Sequence, residues 1–177
     1  NRTVFENTMP AFDAVREAGV WGLEFDVRWT KDLHPVVIHD PNLSRVFQVD
    51  LNVSDVSLET LKAKCPPVPL LTEVIQAYGR KLHLMAEIKS EIYPDPERQN
   101  RILADCFGDL KPQIDYHLIS LTPGMFDLIT FAPVSAFVPI AMWNISQFSK
   151  LAREKKMAGV AGHYFLIGPR MIARHQR

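Results

Sequence analysis

Glu24 and Asp26 lie two residues apart in the run Gly22-Leu23-Glu24-Phe25-Asp26-Val27. On a β-strand, residues at that spacing project to one side, while Leu23, Phe25 and Val27 project to the other. Two carboxylates sharing a face repel, and a divalent cation is the simplest agent that keeps both ionised. The same pattern also arises as the polar half of an ordinary alternating strand. A second apolar run, Pro35-Val36-Val37-Ile38, ends in His39-Asp40, and a third, Leu82 to Ala86, ends in Glu87-Ile88-Lys89. Three hydrophobic strands thus finish in ionisable groups, and strand ends are where α/β folds keep their chemistry.

Together these residues could support metal-assisted acid–base chemistry. Glu24, Asp26 and Glu87 are hard oxygen ligands suited to Mg²⁺ or Ca²⁺, with too few nitrogen or sulfur donors nearby for zinc. Lys89 faces the same way as Glu87 and can meet an anionic oxygen as a point charge. An imidazole with an ordinary pKa near 6.5 suits His39 to general acid or base work. Lys31 and Asp32 are explained by a turn, and Asp40 either orients His39 or caps the following turn. His34, His83, His117, His163 and His175 repeat no motif spacing and read as solvated or incidental. Trp143 and Tyr164 line a pocket or pack at its rim. The cluster Lys150, Arg153, Lys155, Lys156 reads as a solvated helix face.

The succession Glu6-Asn7-Thr8, Glu24-Phe25-Asp26-Val27, Thr30-Lys31-Asp32, Pro35 to Asp40, Leu43, Arg45 and Glu87-Ile88-Lys89 resembles the glycerophosphodiester phosphodiesterase family. The likeness is dense from Glu6 to Lys89 and beyond that one of layout, with Ser120 closing a strand as a middle strand of that family does. Leu33 departs from it, standing where the family has glycine in a turn. The family pattern also opens with a His-Arg-Gly on a first barrel strand and closes with a strand bearing a Trp-Thr-Val-Asn type motif; this sequence starts at Asn1 and stops at Arg177 with neither. The resemblance implies hydrolysis of a small glycerophosphodiester to glycerol 3-phosphate and an alcohol, with His39 as acid partner to a histidine outside this segment, which alone is expected to be near inactive. It leaves two alternatives: a lysophospholipase D or sphingomyelinase D-like barrel, marked by an apolar mouth to which Val46, Phe47, Val49 and Leu51 could contribute, or an inactive binding barrel.

Helix and strand signals alternate along the chain. Helices are expected from Met9 to Ala18, with Thr8 as N-cap and Gly19 as stop, then over Leu70–Tyr78, Asp95–Leu110, Pro123–Phe131, Ser146–Lys156 and from about Pro169. Strands are expected at 22–28, 35–39, 82–88, 116–121, 136–142 and 159–165, all parallel in one curved sheet. Residues 41–69, polar and irregular, form a small insertion, with Ser54 and Ser57 as cap candidates. No glycine-rich loop follows a strand, and ionisable groups at several strand ends favour a (β/α)8 barrel over an open nucleotide-binding sheet. A whole barrel needs about 250 residues. The 177 present are therefore expected to be a single barrel domain lacking its first and eighth strands.

Twenty basic and twenty acidic residues cancel, so no global field attracts nucleic acid or an anionic membrane. Cys65 and Cys106 match no zinc spacing and read as reduced thiols. No segment reaches the ~18–20 apolar residues of a membrane span. A secretory leader would lie upstream of Asn1, which leaves the compartment open with the cytoplasm as default; oligomeric state is not legible.

Overall fold

Apolar alternation in the first strand organises the molecule. In the computed structural model, which describes residues 4–175, β1 (Gly22–Trp29) buries Leu23, Phe25, Val27 and Trp29 on one face. They pack against Phe12 of α1 (Met9–Glu17), against Leu71, Val74 and Tyr78 of α4 (Leu71–Tyr78), and beside Leu84, Ala86 and Ile88 of β3 (His83–Ile88). Phe12 stands edge-on to Phe25, with ring centroids 6.2 Å apart. Phe25 is fully buried, so truncating it to Ala would cost about 3–5 kcal/mol. Leu103 and Phe107 of α5 (Pro96–Phe107) extend the same core. Helices thereby cover one face of the sheet, and the other is left to the polar members of the alternation.

The sheet has six strands in the order β2-β1-β3-β4-β5-β6, where β2 is Pro35–Val37, β4 Tyr116–Ser120, β5 Phe137–Ala141 and β6 Ala161–Gly162. The β1–β3, β3–β4, β4–β5 and β5–β6 pairs are parallel. This is an α/β fold whose sheet remains open, an incomplete barrel. Its register sets Asp26 directly beside Glu87 and Glu24 beside Met85. Gly22 pairs with His83 so closely that a Cβ there would lie 2.5 Å from the His83 carbonyl oxygen, which reserves the position for glycine.

β2 departs from expectation, for it runs antiparallel to β1, with Val27 opposite Val37. Only residues 30–34 separate the two strands, and a parallel return needs a crossover of about a dozen residues or more. A tight hairpin is the only connection that length allows. Its turn is closed by Thr30, whose hydroxyl donates to Asp32 Oδ1 (2.6 Å) and accepts from the His34 N–H (2.9 Å). Leu33 takes the left-handed conformation (φ 64°), and its buried side chain holds it there.

After β2 the chain forms α2 (Ser44–Phe47), a 3-10 turn at Val53–Asp55 and α3 (Leu58–Lys64) before α4. Leu43, Val53, Leu61, Cys65 and Val68 pack with Val36 and Ile38 into a second apolar cluster. Phe47, Val49 and Leu51, partly buried, pack against it. Ser57 caps α3 by accepting from the Thr60 N–H at 3.2 Å. Thr8 occupies the N-cap position of α1, but its hydroxyl instead donates to the Phe5 carbonyl (2.6 Å). Gly19, at φ +71°, ends that helix as expected.

Two further elements differ from expectation. The helix placed at 123–131 is a 3-10 stretch, Pro123–Leu128. Asn100 of α5 explains this: its amide donates to the Leu128 carbonyl (2.6 Å) and accepts from the Thr130 N–H (2.6 Å), taking backbone groups that a continuing helix would use itself. The strand placed at 159–165 shrinks to β6, because the chain turns at His163 into a 3-10 helix, Tyr164–Leu166. α6 (Ile145–Glu154) and α7 (Pro169–His175) complete the chain. No helix among the described residues is long and apolar enough to cross a membrane.

Candidate active site

The parallel pairing of β1 with β3 brings together carboxylates that are remote in sequence. One oxygen from each of Glu24, Asp26 and Glu87 lies within 4.8 Å of the others. Hard cations bind oxygen at roughly 2.0–2.6 Å, so ligands of one ion stand at most about 4–5 Å apart. The donor set therefore fits a hard divalent cation in both chemistry and span. Asp26 and Glu87 are buried; Glu24 reaches solvent with part of its side chain. Its carboxyl nevertheless sits deep enough that burial, then the charges of Asp26 and Glu87, pushes its pKa up to about 7. Burial also raises Glu87, against the pull of Lys89.

Lys89 faces the same side as Glu87, and its Nζ lies 3.0 Å from Asp26 Oδ1 and 3.0 Å from Glu87 Oε1. Burial works against the ammonium, but the hydrogen bond to Glu87 and the charge of Asp26 outweigh it and raise its pKa. An ammonium has three donors, and two are engaged.

Asn7 holds the far side of Asp26. Its Nδ2 donates to Asp26 Oδ2 at 2.8 Å, and its Oδ1 accepts from the Asp26 N–H at 3.1 Å. To reach both atoms Asn7 adopts φ 55°, a left-handed conformation that Asn tolerates better than other side chains bearing a Cβ. The sequence held that signal in Glu6-Asn7-Thr8, but it marked no contact.

The hairpin carries His39 to the same end of the sheet. Ile38 continues the pairing, its N–H donating to the Asp26 carbonyl at 2.9 Å. The next residue, His39, is half-exposed and close enough to Glu24 to oppose the rise of its pKa. His39 Nδ1 lies 2.6 Å from Asp40 Oδ1; Arg45 Nε donates to the other Asp40 oxygen, and Arg45 also pairs with Glu6. The hydrogen bond from Arg45, followed by that from His39, overcomes burial and holds the Asp40 carboxyl down at about 2. Arg28 Nε donates to the His39 carbonyl at 2.8 Å and its guanidinium reaches Glu91 at 3.3 Å, while Glu91 accepts from the Trp29 N–H at 3.0 Å. Nothing in the sequence pattern marked Arg28 or Glu91.

Other residues settle into structural roles. Asp32 accepts from the Leu58 N–H at 3.0 Å, fastening the hairpin turn to α3, and Ser120 donates to the Ile88 carbonyl at 2.8 Å. His83 and His117 are not incidental: His83 Nε2 lies 2.8 Å from His117 Nδ1, His83 Nδ1 lies 2.9 Å from the Ile114 carbonyl, and Trp21 stacks on His83. Since a carbonyl only accepts, His83 donates to it, and the two rings hydrogen-bond in series near the starts of β3 and β4. Trp143 and Tyr164 are exposed, and Trp143 borders an apolar cleft of about 390 Å³ with Ile119, Ile140 and Met142.

Comparison with known proteins meets this geometry. The model of the glycerophosphoryl diester phosphodiesterase family matches residues 1–107. A glycerophosphodiester phosphodiesterase from Caldanaerobacter subterraneus is 37% identical over 113 residues, covering 56% of this chain and 46% of that protein. The chain spans about half the length of the curated relatives it matches. Among solved structures, a glycerophosphodiester phosphodiesterase from Agrobacterium tumefaciens superposes with a TM-score of 0.77 at 22% identity, covering 99% of this chain and 78% of that one. An Oleispira antarctica phosphodiesterase, solved with its product sn-glycerol-3-phosphate, gives 0.70 at 19% identity, covering 97% and 74%. These structural likenesses establish the fold.

Proposed function

The chain belongs to the glycerophosphoryl diester phosphodiesterase family, and from that premise we propose that the whole protein hydrolyses small glycerophosphodiesters to glycerol 3-phosphate and an alcohol, with a divalent cation, Mg²⁺ or Ca²⁺, held by Glu24, Asp26 and Glu87. The observation that carries the reading is the approach of these three carboxylates within 4.8 Å of one another. Bound there, the cation would neutralise charge on the phosphoryl oxygens.

The chain's own groups then divide the remaining work. Lys89, with one donor uncommitted, reaches a phosphoryl oxygen and counters the charge that builds in the transition state. Its ion pairs keep the ammonium charged and aimed along the strand end. His39, at the mouth beside Glu24, delivers a proton to the departing alkoxide from a ring already fixed in orientation. Asn7 holds one oxygen of Asp26 and Lys89 the other, so the carboxylate keeps a fixed orientation beside Glu24 and Glu87.

The test is hydrolysis of glycerophosphocholine or a related diester by the whole protein, before and after chelation, with Mg²⁺ or Ca²⁺ added back. Activity should vanish in chelator, return with the cation, and fall sharply in Glu87→Ala. Full activity in excess chelator, with Glu87→Ala unharmed, would refute the metal role.

A further inference from the structure

We infer that Asp40, Arg45 and Glu6 form a positioning relay that fixes His39 with Nε2 as its proton-exchanging atom, so that the segment after β2 controls the acid step; this rests on the role given to His39 above. An ionised carboxylate can only accept hydrogen bonds, and Asp40 is kept ionised at any physiological pH by its contact with Arg45. The Nδ1 of His39, 2.6 Å away, must therefore carry a proton in both charge states. Nε2 is left as the nitrogen that gains and loses one. When the leaving alkoxide departs, the proton on Nε2 passes to it and the imidazolium becomes the neutral Nδ1–H tautomer; Asp40 remains a carboxylate throughout.

Each link restrains the next. Rotating Asp40 would break its bonds to His39 and Arg45 together, and Arg45 is in turn tied to Glu6. The charges alternate from Glu6 to Arg45 to Asp40 to protonated His39, so the row is neutral when the acid is loaded. Arg28 fixes the backbone of His39 from the other side. Glu6 and Asn7 are adjacent, so one short segment before α1 braces both the acid, through Arg45, and Asp26 directly.

A purely structural role would look different. The Arg45 and Glu6 side chains are 54% and 47% exposed, and exposed ion pairs contribute little to folding. Removing the relay should therefore leave thermal stability nearly unchanged while altering the imidazole.

The deciding measurement is ¹⁵N NMR of labelled histidine in the whole protein. Wild type should show neutral His39 as the Nδ1–H tautomer. Asp40→Asn should move the population toward Nε2–H, Arg45→Gln should give a mixture, and Arg45→Lys should restore most of the wild-type signal. In turnover, Asp40→Asn should lower kcat on an alkyl diester on the order of 10- to 100-fold, less than the 10²–10⁴ expected for outright loss of a general acid. KM, cation affinity and kcat on a nitrophenyl ester should change little. An unaltered tautomer in Asp40→Asn, or an equal fall in kcat on both esters, would overturn the relay. A fully active His39→Ala would instead remove the acid role itself, and because the tautomer measurement needs no turnover, it still decides whether Asp40 sets the ring.

Discussion

Asn7 offers the sharpest test of how the site is held. Replacing it with Gly keeps the left-handed backbone comfortable and removes two hydrogen bonds, one to the Asp26 carboxylate at 2.8 Å and one from the Asp26 N–H at 3.1 Å. A bond to a charged group is worth about 1.5–3 kcal/mol and a neutral one about 0.5–1.5 kcal/mol, so Asn7→Gly should destabilise by about 2–4.5 kcal/mol. Ala loses the same bonds and must also hold a Cβ at φ 55°, which adds roughly 1–2 kcal/mol. The order expected in urea unfolding at constant slope is therefore wild type, then Gly, then Ala. Calorimetric titration with Mg²⁺ or Ca²⁺ should show both variants binding more weakly, since an Asp26 held by Lys89 alone can rotate out of the shared ligand geometry. If both variants unfold within about 0.5 kcal/mol of wild type, or if Gly costs more than Ala, the clamp is not what positions Asp26.

Three further expectations follow from the same geometry. The pKa of Glu24 is raised in the fold from 4.5 to about 7, so the folded state binds its proton more tightly; in chelator, its contribution to stability should be fully present below about 4.5, decline as pH rises toward about 7, and then level off, with Glu24→Gln removing that part of the slope. His39→Ala should lower kcat on an alkyl diester by roughly 10²–10⁴-fold and far less on a nitrophenyl ester; equal losses on both would assign His39 a structural role. Leu33→Gly should relieve about 1–2 kcal/mol of left-handed strain but forfeit about 1.5–3 kcal/mol of side-chain burial, so thermal unfolding should show a small net loss, and a gain in stability would mean the Leu33 side chain contributes little.

The first strand was legible because its period is unambiguous: Leu23, Phe25, Val27 and Trp29 on one side force Glu24 and Asp26 to the other. That periodicity carries no direction, which is why residues 35–39 read as another parallel strand although five intervening residues could make only a hairpin. The members of the carboxylate cluster were legible from the alternation in β1, the polar end of β3 and the family resemblance. Its supports were not, because Asn7 reaches Asp26 and Glu6 reaches Arg45 through loops whose paths no local pattern describes. His83 and His117, 34 residues apart, meet only once β3 and β4 are paired. Asn100 likewise overrides a helical signal from a distance, by taking backbone groups near Leu128 and Thr130.

The strand β2 belongs to two cores at once. Val37 points into the main cluster beneath the sheet, while Val36 and Ile38 point into the smaller one under α2 and α3. A seam of three residues thus joins two cooperative units of unequal size, and the smaller, with less apolar area to bury, is the one that opens first on warming or in mild denaturant. Its amides should exchange with solvent sooner than those of β1 and β3. Arg45 rides on that unit and Asp40 sits at its edge, so an excursion too slight to register in the bulk secondary structure would already loosen the brace on the His39 ring, while Arg28 keeps hold of its backbone. Local opening of the smaller unit and global unfolding are then separate thermodynamic quantities, told apart by the exchange rates of their amides.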